Sequence, residues 1–157
     1  MKHTTTVRAR YGETDQAGVV YHATYLKWFE VGRTELMRDT GCSYADFERE
    51  RALRLTVVEA HLVYHAAGRY DEAVRVESWI DEMRRVRFLV RHRITSESRG
   101  CVLASGFIAL ACVSFDGKVT PVPEDVRRAL LRFADQDEGG KEPSDRLVST
   151  RYRGAPE

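Results

Sequence analysis

The sequence predicts an α+β domain in which a curved antiparallel β-sheet wraps around one long helix. Two observations support this prediction. Apolar residues follow a helical spacing between about 22 and 40, and from residue 55 onward they alternate with polar residues. A long apolar helix must bury its faces, and the later strands offer an apolar sheet face that can cover it.

A short first strand and the long helix are predicted from the N-terminal forty residues. Residues 4–10 are rich in β-branched side chains, which favour a strand. The apolar stripe of the helix consists of Tyr25, Phe29, Gly32 and Leu36. Glycine destabilises a helix, so Gly32 on this stripe indicates close approach of the helix to the sheet. Gly41 is predicted to end the helix, and Ser43 to cap a second helix at about 44–51.

Four further strands and a last helix are predicted after residue 55. Residues 58–64, 74–80 and 86–94 alternate as half-buried strands do, and residues 101–115 are apolar on both faces, as in a covered central strand. Short connections at 69–71 and 98–100 predict that the strands they join are antiparallel neighbours. Pro123 is predicted to open the last helix, at about 124–134.

Length and composition limit the number of domains and the kinds of partner that the chain can have. The 157 residues suit one domain, predicted at 1–134, followed by a polar extension at 135–157. The 25 basic and 24 acidic residues leave a net charge of +1, so no nucleic-acid partner is expected. Apolar runs are too short for membrane insertion and no signal core is present, which predicts a cytoplasmic protein. Three cysteines without a CxxC spacing predict neither a disulfide framework nor a metal site.

The residues that could support chemistry are concentrated in the segment 11–22. It brings Tyr11, Glu13, Asp15 and His22 to the N-terminus of the long helix. A helix N-terminus presents unpaired N–H groups that can polarise a carbonyl and stabilise an oxyanion. A carboxylate beside it can attack that carbonyl or remove a proton from water. The sequence has no GxSxG motif, so this would be an acyl-transfer site without a serine nucleophile.

Each of these residues also has an ordinary structural interpretation. Asp15 could be a turn aspartate, His22 a solvated residue of the first helical turn, and Tyr11 a core tyrosine at a strand end. Glu30 could face a site or simply solvate the helix. The charged segment at 82–85 could be no more than a hairpin turn.

The run ETDQAGVVYHATYLKWFEVGRTELMR, residues 13–38, resembles the signature of the hotdog-fold thioesterases. It is most similar to the acyl-CoA thioesterases associated with the Tol–Pal system and somewhat less similar to the 4-hydroxybenzoyl-CoA thioesterases. The resemblance spans about 4–133. It implies the hotdog fold and hydrolysis of acyl-CoA thioesters by a homo-oligomer, either a dimer or a tetramer. No separate cofactor is implied, because coenzyme A is part of the substrate.

The resemblance also assigns roles to individual residues. It implies that Asp15 is the catalytic carboxylate, acting as nucleophile or as general base. Tyr11 and His22 match a Tyr–Asp–His set, and the backbone N–H of His22 falls where related enzymes polarise the thioester carbonyl. Glu30 falls where the hydroxybenzoyl enzymes have an acidic residue on the helix.

For coenzyme A, the resemblance implies that Arg84 and Arg85 hold the nucleotide phosphates, for which arginine offers forked hydrogen bonds. A lysine usually follows this pair, whereas Val86 follows it here, and Arg87 is the candidate to compensate.

Two other functions are compatible with a hotdog fold. A hydratase or dehydratase would place a histidine to move a proton at the acyl chain, and Asp15 with the run that ends at His22 argues against it. A non-catalytic acyl-CoA-binding module would need a partner domain, for which 157 residues leave no room.

Overall fold

The computed structural model describes residues 1–134, and the order of its elements matches the predicted order. The elements are β1 (His3–Arg8), α1 (Thr24–Asp39), α2 (Tyr44–Arg51), β2 (Leu53–Tyr64), β3 (Ala73–Met83), β4 (Arg87–Ser96), β5 (Val102–Ser114) and α3 (Glu124–Leu131). A short 3-10 turn, Tyr11–Glu13, follows β1. The predicted extension at 135–157 lies outside the described residues.

The ends of the first two helices follow the predicted local signals. The hydroxyl of Ser43 accepts a hydrogen bond from the Asp46 N–H at 3.1 Å, which confirms Ser43 as the cap of α2. Gly41 follows α1 with a φ of +89°, a conformation that favours glycine. Helix α1 begins two residues later than predicted, because the Thr24 N–H donates to the Tyr21 carbonyl at 2.9 Å and closes a turn first.

The five strands form one antiparallel sheet in the order β1-β3-β4-β5-β2. Strands β4 and β5 are neighbours, as the short connection at 98–100 predicted. Strands β2 and β3 are not neighbours, so the prediction from residues 69–71 was wrong. The connection between them, residues 65–72 (the crossing loop), contacts the residues around the start of α1 instead of forming a hairpin. These contacts direct the chain across the sheet.

Helix α1 packs against the core face of the sheet and contacts β3 and β1 most extensively. Gly32 lies at this contact. A β-carbon at Gly32 would lie 2.4 Å from the Ser78 hydroxyl and 2.8 Å from Cγ1 of Val76, both on β3. The close approach that Gly32 predicted is therefore confirmed.

Strand β5 lies between β4 and β2, as predicted for a central strand. Its side chains that face α1, including Ile108 and Leu110, are buried in the core. On the opposite face Ser105 and Phe107 are only half-buried. Within the described residues, the outer face of β5 is therefore less covered than its apolar sequence predicted.

A histidine is buried in the core between the helix and the sheet. His92 of β4 is fully buried, its Nδ1 lies 2.9 Å from the Ser78 hydroxyl, and its ring stacks on Phe29 with centroids 4.5 Å apart. Its Nε2 has no hydrogen-bond partner among the described residues. Burial, together with the positive charge of Arg33, lowers the pKa of His92 from 6.5 to about 3. The imidazole is therefore neutral at physiological pH.

Among residues 1–134, none of the helices has the length and apolar character that crossing a membrane requires.

Candidate active site

Asp15 lies in a tight hairpin, residues 14–20 (the Asp15 hairpin), between the 3-10 turn and α1. Thr14 and Val20 form an antiparallel bridge at its base. Inside it, the Asp15 N–H donates to the Val19 carbonyl at 2.9 Å, and the Gly18 N–H donates to the Asp15 carbonyl at 3.0 Å. Gly18 has a φ of +76°, which few other residues tolerate. The backbone of Asp15 is thus fixed by its own loop.

The two oxygens of the Asp15 carboxylate have different surroundings. Oδ1 accepts a hydrogen bond from the Ala17 N–H at 2.8 Å, as a turn aspartate does. Oδ2 accepts no hydrogen bond from any residue in the described part of the chain, and the side chain is half-buried. One oxygen therefore orients the carboxylate, and the other is available to a substrate or a water molecule.

His22 lies two residues before α1, at the entrance of the helix. Its backbone N–H finds no acceptor within residues 1–134, and its exposed ring contacts Tyr21 with centroids 4.2 Å apart. Its carbonyl accepts a hydrogen bond from the Tyr64 hydroxyl at 3.0 Å. An unpaired N–H held in a fixed peptide can donate to a carbonyl oxygen. Sequence reasoning missed Tyr64, because it comes from the end of β2 and has no local signal.

Glu13 anchors the same region instead of facing a substrate. Its buried carboxylate accepts hydrogen bonds from the Arg10 N–H at 2.9 Å and from the Arg10 guanidinium at 2.8 Å. Its carbonyl accepts from the Tyr21 N–H at 2.8 Å. Burial alone would raise the pKa of Glu13, but the hydrogen bonds and the charge of Arg10 outweigh it, and the pKa is lowered. Glu13 thus ties the two ends of the Asp15 hairpin to each other and to Arg10, two residues after β1.

The structure does not place Tyr11 and Glu30 in contact with Asp15. The Tyr11 ring is 80% exposed, which excludes the core tyrosine interpretation, and it packs edge-on against Tyr70 with centroids 5.8 Å apart. No hydrogen bond joins Tyr11 to Asp15 within the described residues. Glu30 is exposed on α1 and makes no ion pair with any described residue. The roles assigned to both stay predictions.

Two of the arginines predicted to bind coenzyme A, Arg84 and Arg85, lie at the turn between β3 and β4, and their side chains have different surroundings. Arg84 forms an exposed ion pair with Glu82. The Arg85 side chain lines an open cleft that it shares with Arg127 and Glu124 of α3. The Val122 N–H donates to the Arg85 carbonyl at 2.9 Å and fixes one wall of this cleft.

Arg87 lies apart from that cleft. It directly precedes Phe88, which is in the core, and successive side chains of a strand point to opposite faces. Arg87 therefore faces the outer side of the sheet, so the structure does not bring it to Arg85. It brings Arg127 there instead, a residue that has no local signal in the sequence, because α3 is distant from the turn along the chain.

Comparison with known proteins identifies the family. Residues 9–130 match the family model of the Thioesterase-like superfamily. The chain belongs to this superfamily. This thioesterase is 33% identical over 126 residues to the acyl-CoA thioesterase YbgC of Haemophilus influenzae, and the match covers 79% of this chain and 90% of that protein.

Two further similarities support the same family and fold. The chain is 45% identical over 76 residues to the putative acyl-CoA thioesterase YneP of Bacillus subtilis, which spans 48% of this chain and about half (54%) of that protein. It superposes on a DHNA-CoA thioesterase from Staphylococcus aureus with a TM-score of 0.76 and 31% identity, covering 83% of this chain and 89% of that chain. The predicted hotdog fold is confirmed, and the chain is a thioester hydrolase.

Proposed function

We propose that this thioesterase hydrolyses acyl-CoA to a free carboxylic acid and coenzyme A, with Asp15 as its central catalytic residue. Two observations on the described residues support this most directly: Oδ2 of Asp15 accepts no hydrogen bond, and the backbone N–H of His22 has no acceptor. Both belong to the segment around one bridge, between Thr14 and Val20. The names of the relatives YbgC and YneP give the substrate class.

The proposed reaction begins when the His22 N–H donates to the thioester carbonyl oxygen and stabilises the negative charge that develops there. Asp15 then acts in one of two ways. It attacks the carbonyl carbon, the C–S bond breaks, coenzyme A leaves as the thiolate, and water hydrolyses the resulting mixed anhydride. Alternatively, it takes a proton from a water molecule whose oxygen attacks the same carbon, the C–S bond breaks, and the leaving coenzyme A thiolate takes up that proton. Both routes give the same products.

The function is tested by measuring the release of the coenzyme A thiol from short, long and aromatic acyl-CoA substrates. Thiol release with at least one class, well above the rate without enzyme, is expected. Acyl-CoA binding without thiol release from any class would contradict hydrolysis and favour a binding module. Loss of an unsaturated acyl chromophore without thiol release would favour a hydratase.

The arginine pair provides a test of coenzyme A recognition. Replacing Arg84 and Arg85 by alanine is expected to raise KM for acyl-CoA by tens-fold and to leave kcat nearly unchanged, because phosphate contacts are remote from the reacting carbon. Charge-assisted hydrogen bonds contribute about 1.5–3 kcal/mol each when well formed, and less when exposed. The effect should shrink as the salt concentration rises.

The position of Arg127 extends this test. Arg127→Ala should also raise KM, whereas Arg87→Ala on the outer face of the sheet should have a smaller effect. The matched control is Arg49→Ala, an exposed arginine of α2 that pairs with its helix neighbours. A thioester that lacks the nucleotide should be hydrolysed equally well by all variants. If both substrates are affected alike, or neither is, the arginines do not hold the phosphates.

We also propose that the active form is a homo-oligomer, a dimer or a tetramer. Among residues 1–134, the twelve-residue strand β2 is an edge of the sheet, and its backbone can pair with a second copy about a two-fold axis. Val57 and Val58 on this edge are 48% and 53% exposed, so a second copy that covers them would remove apolar surface from water.

Sedimentation velocity across a range of concentrations is expected to give a dimer or tetramer at concentrations where the enzyme is active. Val58→Lys should weaken the association, because burying a lysine in each copy at the shared edge would cost free energy. A stable monomer that hydrolyses acyl-CoA would contradict the proposal.

A further inference from the structure

Arg99 lies in the turn between β4 and β5, and it forms a forked ion pair with a buried carboxylate. Its Nε and Nη2 donate to the two oxygens of Glu72 at 2.7 and 2.9 Å. Glu72 is only 9% exposed, and its carboxylate also accepts from the Ser96 hydroxyl. Burial alone would raise the pKa of Glu72, but the hydrogen bonds from Arg99 and Ser96 outweigh it and lower the pKa. A buried carboxylate of this kind depends strongly on its charged partner.

The ion pair holds the crossing loop at two points. Nη2 of Arg99 also donates to the Ala67 carbonyl at 2.8 Å. The Arg69 N–H donates to the Glu72 carboxylate at 2.9 Å. These two contacts lie on either side of Gly68, so the backbone of Gly68 is fixed from both directions.

Gly68 in turn contacts the Asp15 hairpin. Its carbonyl accepts a hydrogen bond from the Val20 N–H at 2.9 Å, and its own N–H donates to the Tyr25 hydroxyl at 2.9 Å. A β-carbon at Gly68 would lie 3.0 Å from Cγ2 of Val20 and 3.1 Å from the Tyr25 hydroxyl, so the approach is close. Val20 is the bridge partner of Thr14, next to Asp15.

We propose that Arg99 is a positioning residue for the hydrolysis, acting through Glu72 and the crossing loop to hold Gly68 against the Asp15 hairpin. The inference rests on the proposed role of Asp15. Arg99 does not touch the reacting atoms. It fixes the position of the hairpin that carries the Asp15 carboxylate and leads into the His22 peptide. A misplacement of about 1 Å at such a site can reduce a rate by up to about 100-fold.

The kinetic test uses Arg99→Ala, Arg99→Lys and Glu72→Gln, with Arg49→Ala as the control. Arg99→Ala is expected to lower kcat by roughly ten- to a hundredfold with KM for acyl-CoA within about twofold. Arg99→Lys should recover part of kcat relative to Arg99→Ala, because lysine keeps the positive charge but cannot form the two parallel hydrogen bonds to Glu72. In the double variant Arg99→Ala/Glu72→Gln, kcat should fall no further than in the more impaired of the two single variants, because both residues act through one network. A normal kcat for Arg99→Ala, or equal changes in kcat and KM, would overturn the proposal.

Amide hydrogen exchange gives a readout that does not depend on activity. In Arg99→Ala, exchange at the Val20 and Gly68 amides should become faster, whereas amides of β4 and β5 away from the turn keep their protection. Unchanged exchange at Val20 and Gly68 would refute the tether, and so would uniformly faster exchange, because it would mean that Arg99 stabilises the whole domain and not this contact. If the wild-type protein fails to release thiol from any acyl-CoA, the proposed function fails, and these two amides still decide whether the tether exists.

Discussion

Asp15→Asn is expected to abolish acyl-CoA hydrolysis while leaving the fold intact. Asparagine has nearly the size of aspartate and keeps a side-chain oxygen that can accept the Ala17 N–H, so the turn that orients residue 15 is retained. Asparagine can neither attack a thioester as a nucleophile nor accept a proton from water. A loss in kcat of at least about 100-fold is therefore expected.

The matched control for this substitution is Asp116→Asn. Asp116 is also a turn aspartate, accepting from the Ser114 hydroxyl and followed by Gly117 with a φ of +84°. It lies at the end of β5, in a turn distinct from the Asp15 hairpin. The control should keep near-normal kcat, and circular dichroism should give the same folded spectrum for both variants. Near-normal turnover by Asp15→Asn would exclude Asp15 from both proposed chemical roles.

The elements of the fold follow closely from local patterns in the sequence. The helical stripe through Phe29 and Leu36 and the alternation of the later strands depend only on which side chains must leave water. The cap at Ser43 and the glycine at 41 are equally local. Gly32 even predicted a tertiary contact, because a glycine on an apolar helical stripe needs a neighbour that approaches closely.

The order of the strands did not follow from these patterns. The connection of residues 65–72 is short enough for a hairpin, and nothing in its composition indicates that it crosses to a distant strand. What fixes its path is a set of contacts with residues far away in sequence, such as Gly68 with Val20 and Glu72 with Arg99. Long-range pairing of this kind is not encoded in hydrophobic periodicity.

The residues of the candidate site also fall into two groups, those that local sequence predicts and those that only the fold brings together. Asp15 and His22 lie within one short segment, so their spacing and the helix that follows were visible in the sequence. Tyr64 and Arg99 reach the region of Asp15 and His22 through the fold of the sheet, and α3 brings Arg127 to the separate cleft that Arg85 lines. Each of them is an ordinary polar residue of a strand, turn or helix when it is viewed alone.

His92 is expected to make the protein strongly sensitive to mild acid. Its pKa is about 3 in the folded protein and 6.5 in an unfolded chain. Between these values the unfolded state binds one more proton than the folded state, so the free energy of unfolding falls as the pH is lowered through this range. The contribution is fully present above pH 6.5. Each pH unit below it costs about 1.4 kcal/mol, so a change from about pH 7 to about pH 4.5 should remove roughly 2–3 kcal/mol.

Urea unfolding of the wild type and of His92→Asn at these two pH values isolates the effect. Asparagine can still hydrogen-bond to Ser78 but is smaller than histidine, so the variant should have a lower free energy of unfolding at both pH values. Because asparagine does not titrate, the drop in this free energy between the two pH values should be smaller by roughly 2–3 kcal/mol than in the wild type. The buried carboxylates Glu13 and Glu72, whose pKa values are lowered, also lose stabilisation in acid, but they are common to both proteins and cancel in the difference. Equal pH dependence in the wild type and His92→Asn would mean that His92 takes up its proton without unfolding, and that the Nε2 atom is reached by water in the native protein.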